Sequence, residues 1–235
     1  MVTSSRRISP DACDSDGEGT ESSLAAGPVS LDSHLEQVAA KVVHFATACG
    51  LPPGLVEDLR LAALAHDLGK ADPRFQSWLY GGSRLAALRG GLLAKSARLP
   101  LGPAALRAAR LRSGYPVGAR HELHSIRLLE SVPDLLTSAS DPELVLHLVE
   151  SHHGRCRPFA PVVADPDPVE VAVGIHGHAM KASSATGLER IDSGAAERFW
   201  RLIRRYGWWG LSYLEAILRL SDHRVSEKPM EVSHA

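Results

Sequence analysis

The sequence predicts an all-α fold, and three observations carry the prediction. Apolar residues recur at helical spacing from Leu31 almost to the end of the chain, and helix start and stop signals bracket each of these runs. Alternating strand-like patterns are confined to scraps near Val162 and Val171. Residues 1–30 come first and read as a tail or linker: Ser, Gly, Asp and Glu dominate, no period appears, and such a stretch cannot bury enough apolar surface to offset its ordering entropy. The first helix begins at a capping-box spacing, Ser33 to Glu36. It continues through Leu35, Val38, Ala39, Val42, Val43 and Ala46, and Gly50 and Pro52-Pro53 close it. Leu55, Leu59, Ala62 and His66 form the stripe of a second helix that Gly69 stops. A further helix starts near His121. Asp141-Pro142 supplies an N-cap and a first-turn proline for a helix through Leu144, Val145, Leu148 and Val149, ended by Gly154. The last helix is expected from about Trp208 to Arg224, and residues 229–235 read as a C-terminal tail.

Composition narrows the function classes. A chain of 235 residues with 44% hydrophobic and 23% charged residues has material for one generous domain. Lys and Arg number 26 against 27 Asp and Glu, for a net charge of −1, which excludes a globally basic nucleic-acid glue and an acidic disordered chain. No apolar run approaches the roughly 20 residues that span a bilayer, and the start of the chain lacks an apolar signal segment, so no membrane association is expected. Cys13, Cys49 and Cys156 are odd in number and widely spaced, giving neither a disulfide framework nor a metal knuckle. A reducing cytoplasm is the expected compartment. Twelve histidines stand against four each of Phe, Tyr and Trp, an imbalance that asks for a use.

Charge is unevenly distributed. Residues 74–120 hold nine basic groups and no Asp or Glu, leaving 17 basic and 27 acidic residues elsewhere. A segment without acids is a candidate footprint for a polyanion, and within it Arg107, Arg110 and Arg112 are the candidate DNA-binding residues. The plainer alternative is a solvated helical face. Trp78 and Tyr80, in the same segment, suit base stacking or a core position equally.

The informative histidines stand at helix ends or on apolar stripes: His34 in the first turn of its helix, His66-Asp67 at the end of the second, His121 at a helix start, and His152-His153 before Gly154. Asp222 continues the inward line Leu211, Leu214, Leu218 of the final helix, where a carboxylate is costly unless paired or bound to a metal. Imidazoles and two aspartates converging in one core are a donor set for borderline divalent metals. A single histidine at a helix end is more often a cap or a satisfied core group, and His44, His124, His147, His176, His178, His223 and His234 are read so.

The ordered set resembles the HD phosphohydrolase superfamily and, within it, the HD nuclease of CRISPR type I interference, which works joined to or beside a superfamily 2 helicase. AHDLGKADPRFQSWL, RHELHS, SHHGRCRPF and LEAILRLSDHRVSE carry the likeness. With GGLLAKS, SGYPVGARHE and RYGWWGLSYLEAILRLSDH they are most similar to the subtype in which the HD domain follows the helicase, type I-G (formerly I-U). The resemblance covers residues 31–228. Ser221 departs from the family's usual Ala, and no Walker A glycine loop is present, so the helicase is expected on a separate chain or on a longer polypeptide.

The resemblance implies an HD helical bundle with a two-metal centre of Mn, Fe, Co or Ni. One metal would take His34, His66, Asp67 and Asp222; the other His121, His152 and His153, with Asp67 bridging. Asp67 and Lys70 are the implied catalytic residues, Lys70 steadying a phosphate oxygen. The implied activity is endonucleolytic hydrolysis of single-stranded DNA with a helicase and a CRISPR surveillance complex as partners. The alternatives are an HD phosphohydrolase of small nucleotides and a non-catalytic docking scaffold.

Overall fold

A computed structural model describes residues 24–227 except 26, 98–102, 164 and 176. The described residues form a helical bundle with two small sheets at its edges. Its helices are α1 (Leu31–Ala48), α2 (Pro53–Ala65), α3 (Pro73–Leu79), α4 (Arg84–Arg89), α5 (Pro103–Ser113), α6 (His121–Glu130), α7 (Pro133–Thr137), α8 (Pro142–Ser151) and α9 (Ala195–Glu227). The central packing sets α1 against α2 and α9, α2 against α8, and α8 against α6 and α9. Leu35, Val38 and Val42 of α1 meet Leu59 and Ala62 of α2, Leu144 and Leu148 of α8, and Leu211 and Leu218 of α9 in one buried core. No helix of the described residues is long and apolar enough to cross a membrane.

Helix α1 starts earlier than its capping-box spacing predicts. The N-cap is Ser30, whose hydroxyl accepts from Ser33 N–H at 3.3 Å, while Ser33 lies inside the first turn and accepts from the Gln37 amide at 2.8 Å. Leu31 decides the matter: it is fully buried, and its N–H donates to Leu92 carbonyl at 2.9 Å, so the helix must begin at this core residue. At α8 the expected cap forms, with Asp141 accepting from Leu144 N–H at 3.3 Å and Pro142 in the first turn. Asp58 of α2 accepts in turn from the N–H groups of Ser140 and Asp141 at 2.7 and 3.0 Å, tying this helix start to the core.

Strands supply more than scraps. An antiparallel hairpin pairs β4 (Glu170–Ile175) with β5 (His178–Ser183), and β5 packs on α6. Val171 lies in β4, whereas Val162 sits in an exposed loop. A three-stranded sheet places β3 (Leu93–Ala97) between β1 (Leu24–Ala25) and β2 (Val29–Ser30). The last helix also differs from expectation. Trp208–Arg224 is the second arm of α9, which bends at Gly207, where φ is 71°, a conformation glycine adopts without a Cβ clash. Trp78 and Tyr80 belong to a second apolar cluster with Phe75, Leu79, Leu93 and Tyr115, and the Arg110 guanidinium lies 5.1 Å from the Trp78 ring centre.

A buried polar cross-link joins α8 to α9. His147 Nε2 is 2.7 Å from Glu215 Oε1, and its Nδ1 is 3.5 Å from Glu150 Oε1. Glu150 also takes Arg198 at 2.6 Å. Burial pulls the His147 pKa down, but the two carboxylates outweigh it and the net shift is upward. The stabilisation is therefore full below the unfolded histidine value of about 6.5 and is lost as pH rises through the raised folded value. Denaturant unfolding should show His147→Gln costing more stability at about pH 6 than at about pH 9. A pH-independent difference would place the His147 contribution in packing alone.

Candidate metal centre

The α2 helix ends at Ala65, so His66 and Asp67 occupy the turn into a 3-10 helix over Leu68–Ala71. The Ser125 hydroxyl ties this turn to α6. Ser125 Oγ donates within reach of the His66 and His121 carbonyls, at 2.8 and 3.1 Å, and accepts from Gly69 N–H at 2.8 Å. Three further helix segments converge on the same point: His34 from α1, His152-His153 from the end of α8, and Asp222 from the second arm of α9.

All seven sequence-predicted ligand residues meet there, in two groups. Asp67, His121, His152 and His153 offer donor atoms that lie within 4.8 Å of one another, and so do His34, His66 and Asp222. Asp67 faces both. Its Oδ2 is 3.4 Å from His34 Nε2 and 3.5 Å from His66 Nε2, while its Oδ1 is 2.9 Å from His121 Nε2 and 3.8 Å from His152 Nε2. Asp222 Oδ1 is 3.2 Å from His34 Nε2, and His153 Nε2 is 3.3 Å from His121 Nε2.

The donor atoms fit a cation. His34 Nε2, His66 Nε2, His152 Nε2 and Asp67 Oδ1 are buried without a hydrogen-bond partner, a costly state for so many polar atoms in one place. The orientation of two rings is fixed from behind: His66 Nδ1 lies 2.7 Å from Ala63 carbonyl and His152 Nδ1 lies 2.7 Å from Val149 carbonyl. A ring that donates through Nδ1 leaves Nε2 as a bare lone pair, the arrangement of a metal-ligating imidazole. Burial lowers the pKa of His66, His121, His152 and His153, which keeps these rings neutral as ligation requires. Burial acts on Asp67 in the opposite sense, yet Lys70 and the surrounding imidazoles outweigh it and hold the carboxyl well below its usual range. Asp222 is depressed against its own burial by His34 and His66.

Lys70 sits on Asp67 itself, with Nζ 2.7 Å from Oδ2 and 3.4 Å from Ala94 carbonyl. Arg107, Arg110 and Arg112 are not in the centre. They lie on α5, which packs on α3; the α3 residue Phe75 has its ring centre 5.5 Å from that of His121. The acid-free segment is acid-free in sequence only, because Arg74 pairs with Asp72 and Asp165 and Arg120 pairs with Glu122. His124 stays outside the ligand groups, with Nδ1 3.8 Å from Asp72 Oδ2.

The family model of the Cas3 HD domain matches residues 25–199. The chain belongs to that family. No curated protein and no solved structure matches it. Membership in the Cas3 HD family makes it a CRISPR-associated metal-dependent hydrolase of the HD nuclease type, with the all-α HD bundle described above. The matched span ends before Asp222, so it is the fold that brings this carboxylate to His34.

The long-range roles of Ser125 and Lys95 have no local sequence signal. Ser125 and Gly69 hold the HD turn on α6. Lys95 of β3, buried, donates to Ser226 Oγ, which lies 3.3 Å from Asp222 Oδ1 and so steadies that carboxylate from outside. Both the GGLLAKS string and the basic segment contain Lys95, but neither reveals its link to Ser226, 131 residues away.

Proposed function

We propose that this domain is an endonuclease that hydrolyses phosphodiester bonds of single-stranded DNA in CRISPR type I defence, using two divalent transition-metal ions drawn from Mn, Fe, Co and Ni. The observation that carries the reading is the division of the Asp67 oxygens, one toward His34 and His66 and the other toward His121 and His152. A bridging carboxylate between two imidazole-rich groups suits a pair of ions that together offset charge on the attacking and leaving oxygens of a phosphodiester. His34, His66 and Asp222 would hold one ion, His121, His152 and His153 the other, and Asp67 both. Lys70 keeps Asp67 ionised and orients it. Having only two carboxylates among the seven ligands leaves the centre short of negative charge, which favours an anionic substrate.

Arg107, Arg110 and Arg112 would bind the DNA backbone on the His121 side. A superfamily 2 helicase, on this polypeptide or another, would expose the strand, and a surveillance complex would choose the target. The cytoplasm is the fitting compartment. The test is incubation of circular single-stranded DNA with the protein and Mn, beside a panel of mononucleotides. The expected result is linearised and then shortened DNA, since a circle offers an exonuclease no end. Intact circles with hydrolysed mononucleotides would transfer the site to the small-nucleotide class.

A further inference from the structure

Strand β3 gives the metal centre no ligand, yet it is fixed beside it. Buried Gln76 of α3 grips the strand: its side-chain amide donates to the Leu93 carbonyl at 2.9 Å and to the Lys70 carbonyl at 2.7 Å, and its oxygen accepts from Leu93 N–H at 2.9 Å. One side chain thus locks β3 to the 3-10 helix that follows Asp67. At the start of α1, Leu31 N–H adds a bond to the Leu92 carbonyl at 2.9 Å.

Two neighbouring residues of this strand act on the two carboxylates of the centre. The Ala94 carbonyl accepts from Lys70 Nζ at 3.4 Å, and the same ammonium lies 2.7 Å from Asp67 Oδ2. Lys95 donates to Ser226 Oγ, which lies 3.3 Å from Asp222 Oδ1. With Lys95 occupying the hydroxyl oxygen as donor, the hydroxyl proton is left for the carboxylate. Lys95 is buried, and among the described residues no carboxylate stands within ion-pair distance of it. Such an ammonium is costly unless its charge is used, and Asp222 is the principal anion acting on it.

Asp222 has few other supports. Besides His34, a ligand of the same group, Ser226 is its only hydrogen-bond partner among the described residues. His66 and His152, by contrast, are braced from behind by backbone carbonyls, and Asp67 by Lys70. We propose that Lys95 and Ser226 are positioning residues of Asp222, so that β3 sets the affinity of the His34, His66 and Asp222 group for its ion. The group of Asp67, His121, His152 and His153 does not touch this relay and keeps its own affinity. The inference rests on the two-ion reading of the centre and adds an unequal dependence of the two ions on one strand.

The test is a Mn(II) titration of the metal-free protein, with free Mn(II) read by electron paramagnetic resonance and DNA absent, so that binding rather than cleavage is observed. Wild type should bind two ions. Ser226→Ala and Lys95→Met should each weaken one ion about tenfold and leave the other at its wild-type affinity. Ser226→Thr, which keeps the hydroxyl, should recover most of the loss. A purely structural tie would lower the melting temperature without separating the two ions, so thermal melting of each metal-free protein accompanies the titration. Ser226→Ala, in the last turn of α9, guards against misfolding of the Lys95 variant. Two binding events that are unchanged in both variants, or weakened alike, would overturn the relay and leave the two-ion reading standing. Wild-type protein that binds fewer than two ions would overturn that reading and this inference with it.

Discussion

Asp67→Ala should lower cleavage of circular single-stranded DNA by about a thousandfold or more and leave the protein unable to retain divalent metal. The magnitude follows from the position of the carboxylate. Asp67 faces both donor groups, and Lewis-acid stabilisation at such a centre is worth several kcal/mol, each 1.4 kcal/mol or so being tenfold in rate. Affinity for the DNA itself should change little, because the arginines proposed to contact the strand lie on α5, outside the metal centre. Deleting the carboxylate also strips Lys70 of its partner at 2.7 Å, and an unpaired buried ammonium costs about 3–5 kcal/mol. Asp67→Asn separates the two effects, since the amide oxygen still accepts from Lys70 while the charge that bridges is gone. Metal content measured on the purified proteins, together with the cleavage assay, checks the expectation. Either variant cutting DNA at the wild-type rate would remove the two-metal assignment.

The sequence exposed most of this centre for a physical reason. Histidines on apolar stripes and at helix ends are expensive, so His34, His66, His121 and His152-His153 were visible one helix at a time, and Asp222 stood out as a carboxylate on a buried line. Local signals with one meaning, such as the Asp141-Pro142 start, were realised as expected. Signals with two local solutions were decided by tertiary packing. Ser30 and Ser33 are both acceptable caps, and the burial of Leu31 chose Ser30. The β4–β5 hairpin was reduced to a scrap at Val171 because His178–Ser183 has a weak apolar alternation, with Met180 its sole buried residue. The charge count along residues 74–120 misled in one respect, since Asp165 returns from far along the chain to neutralise Arg74. Lys95, Ser125 and Ser226 act across 59 residues or more, between His66 and Ser125 and between Lys95 and Ser226, a separation at which no sequence period operates.

Gly69→Ala should destabilise the metal-free protein by about 3 kcal/mol, which for a chain of this size lowers the melting temperature by about 6–12 °C. Gly69 lies in the HD turn close against α6. A Cβ built there would stand 1.9 Å from the His121 carbonyl oxygen and 2.8 Å from both the His121 carbonyl carbon and the His124 Cβ. The first two are backbone atoms that no rotamer change can move aside, so the turn and α6 must separate. Separation breaks the Gly69 N–H bond to Ser125 Oγ and loosens the hold of the same hydroxyl on the His66 carbonyl. Each lost bond removes about 1 kcal/mol. The consequence reaches the metal centre because Asp67 leaves from this turn and His121 from α6, and their 2.9 Å contact spans the gap that opens. Gly69→Ala should therefore weaken metal binding as well as stability, whereas Ser125→Ala, which removes the hydroxyl without adding bulk, should lower stability by a smaller amount and leave the Asp67–His121 approach nearly intact. Thermal melting and metal titration of the two variants distinguish these outcomes. A Gly69→Ala protein that melts with wild type would mean that the turn and α6 are not in the contact described.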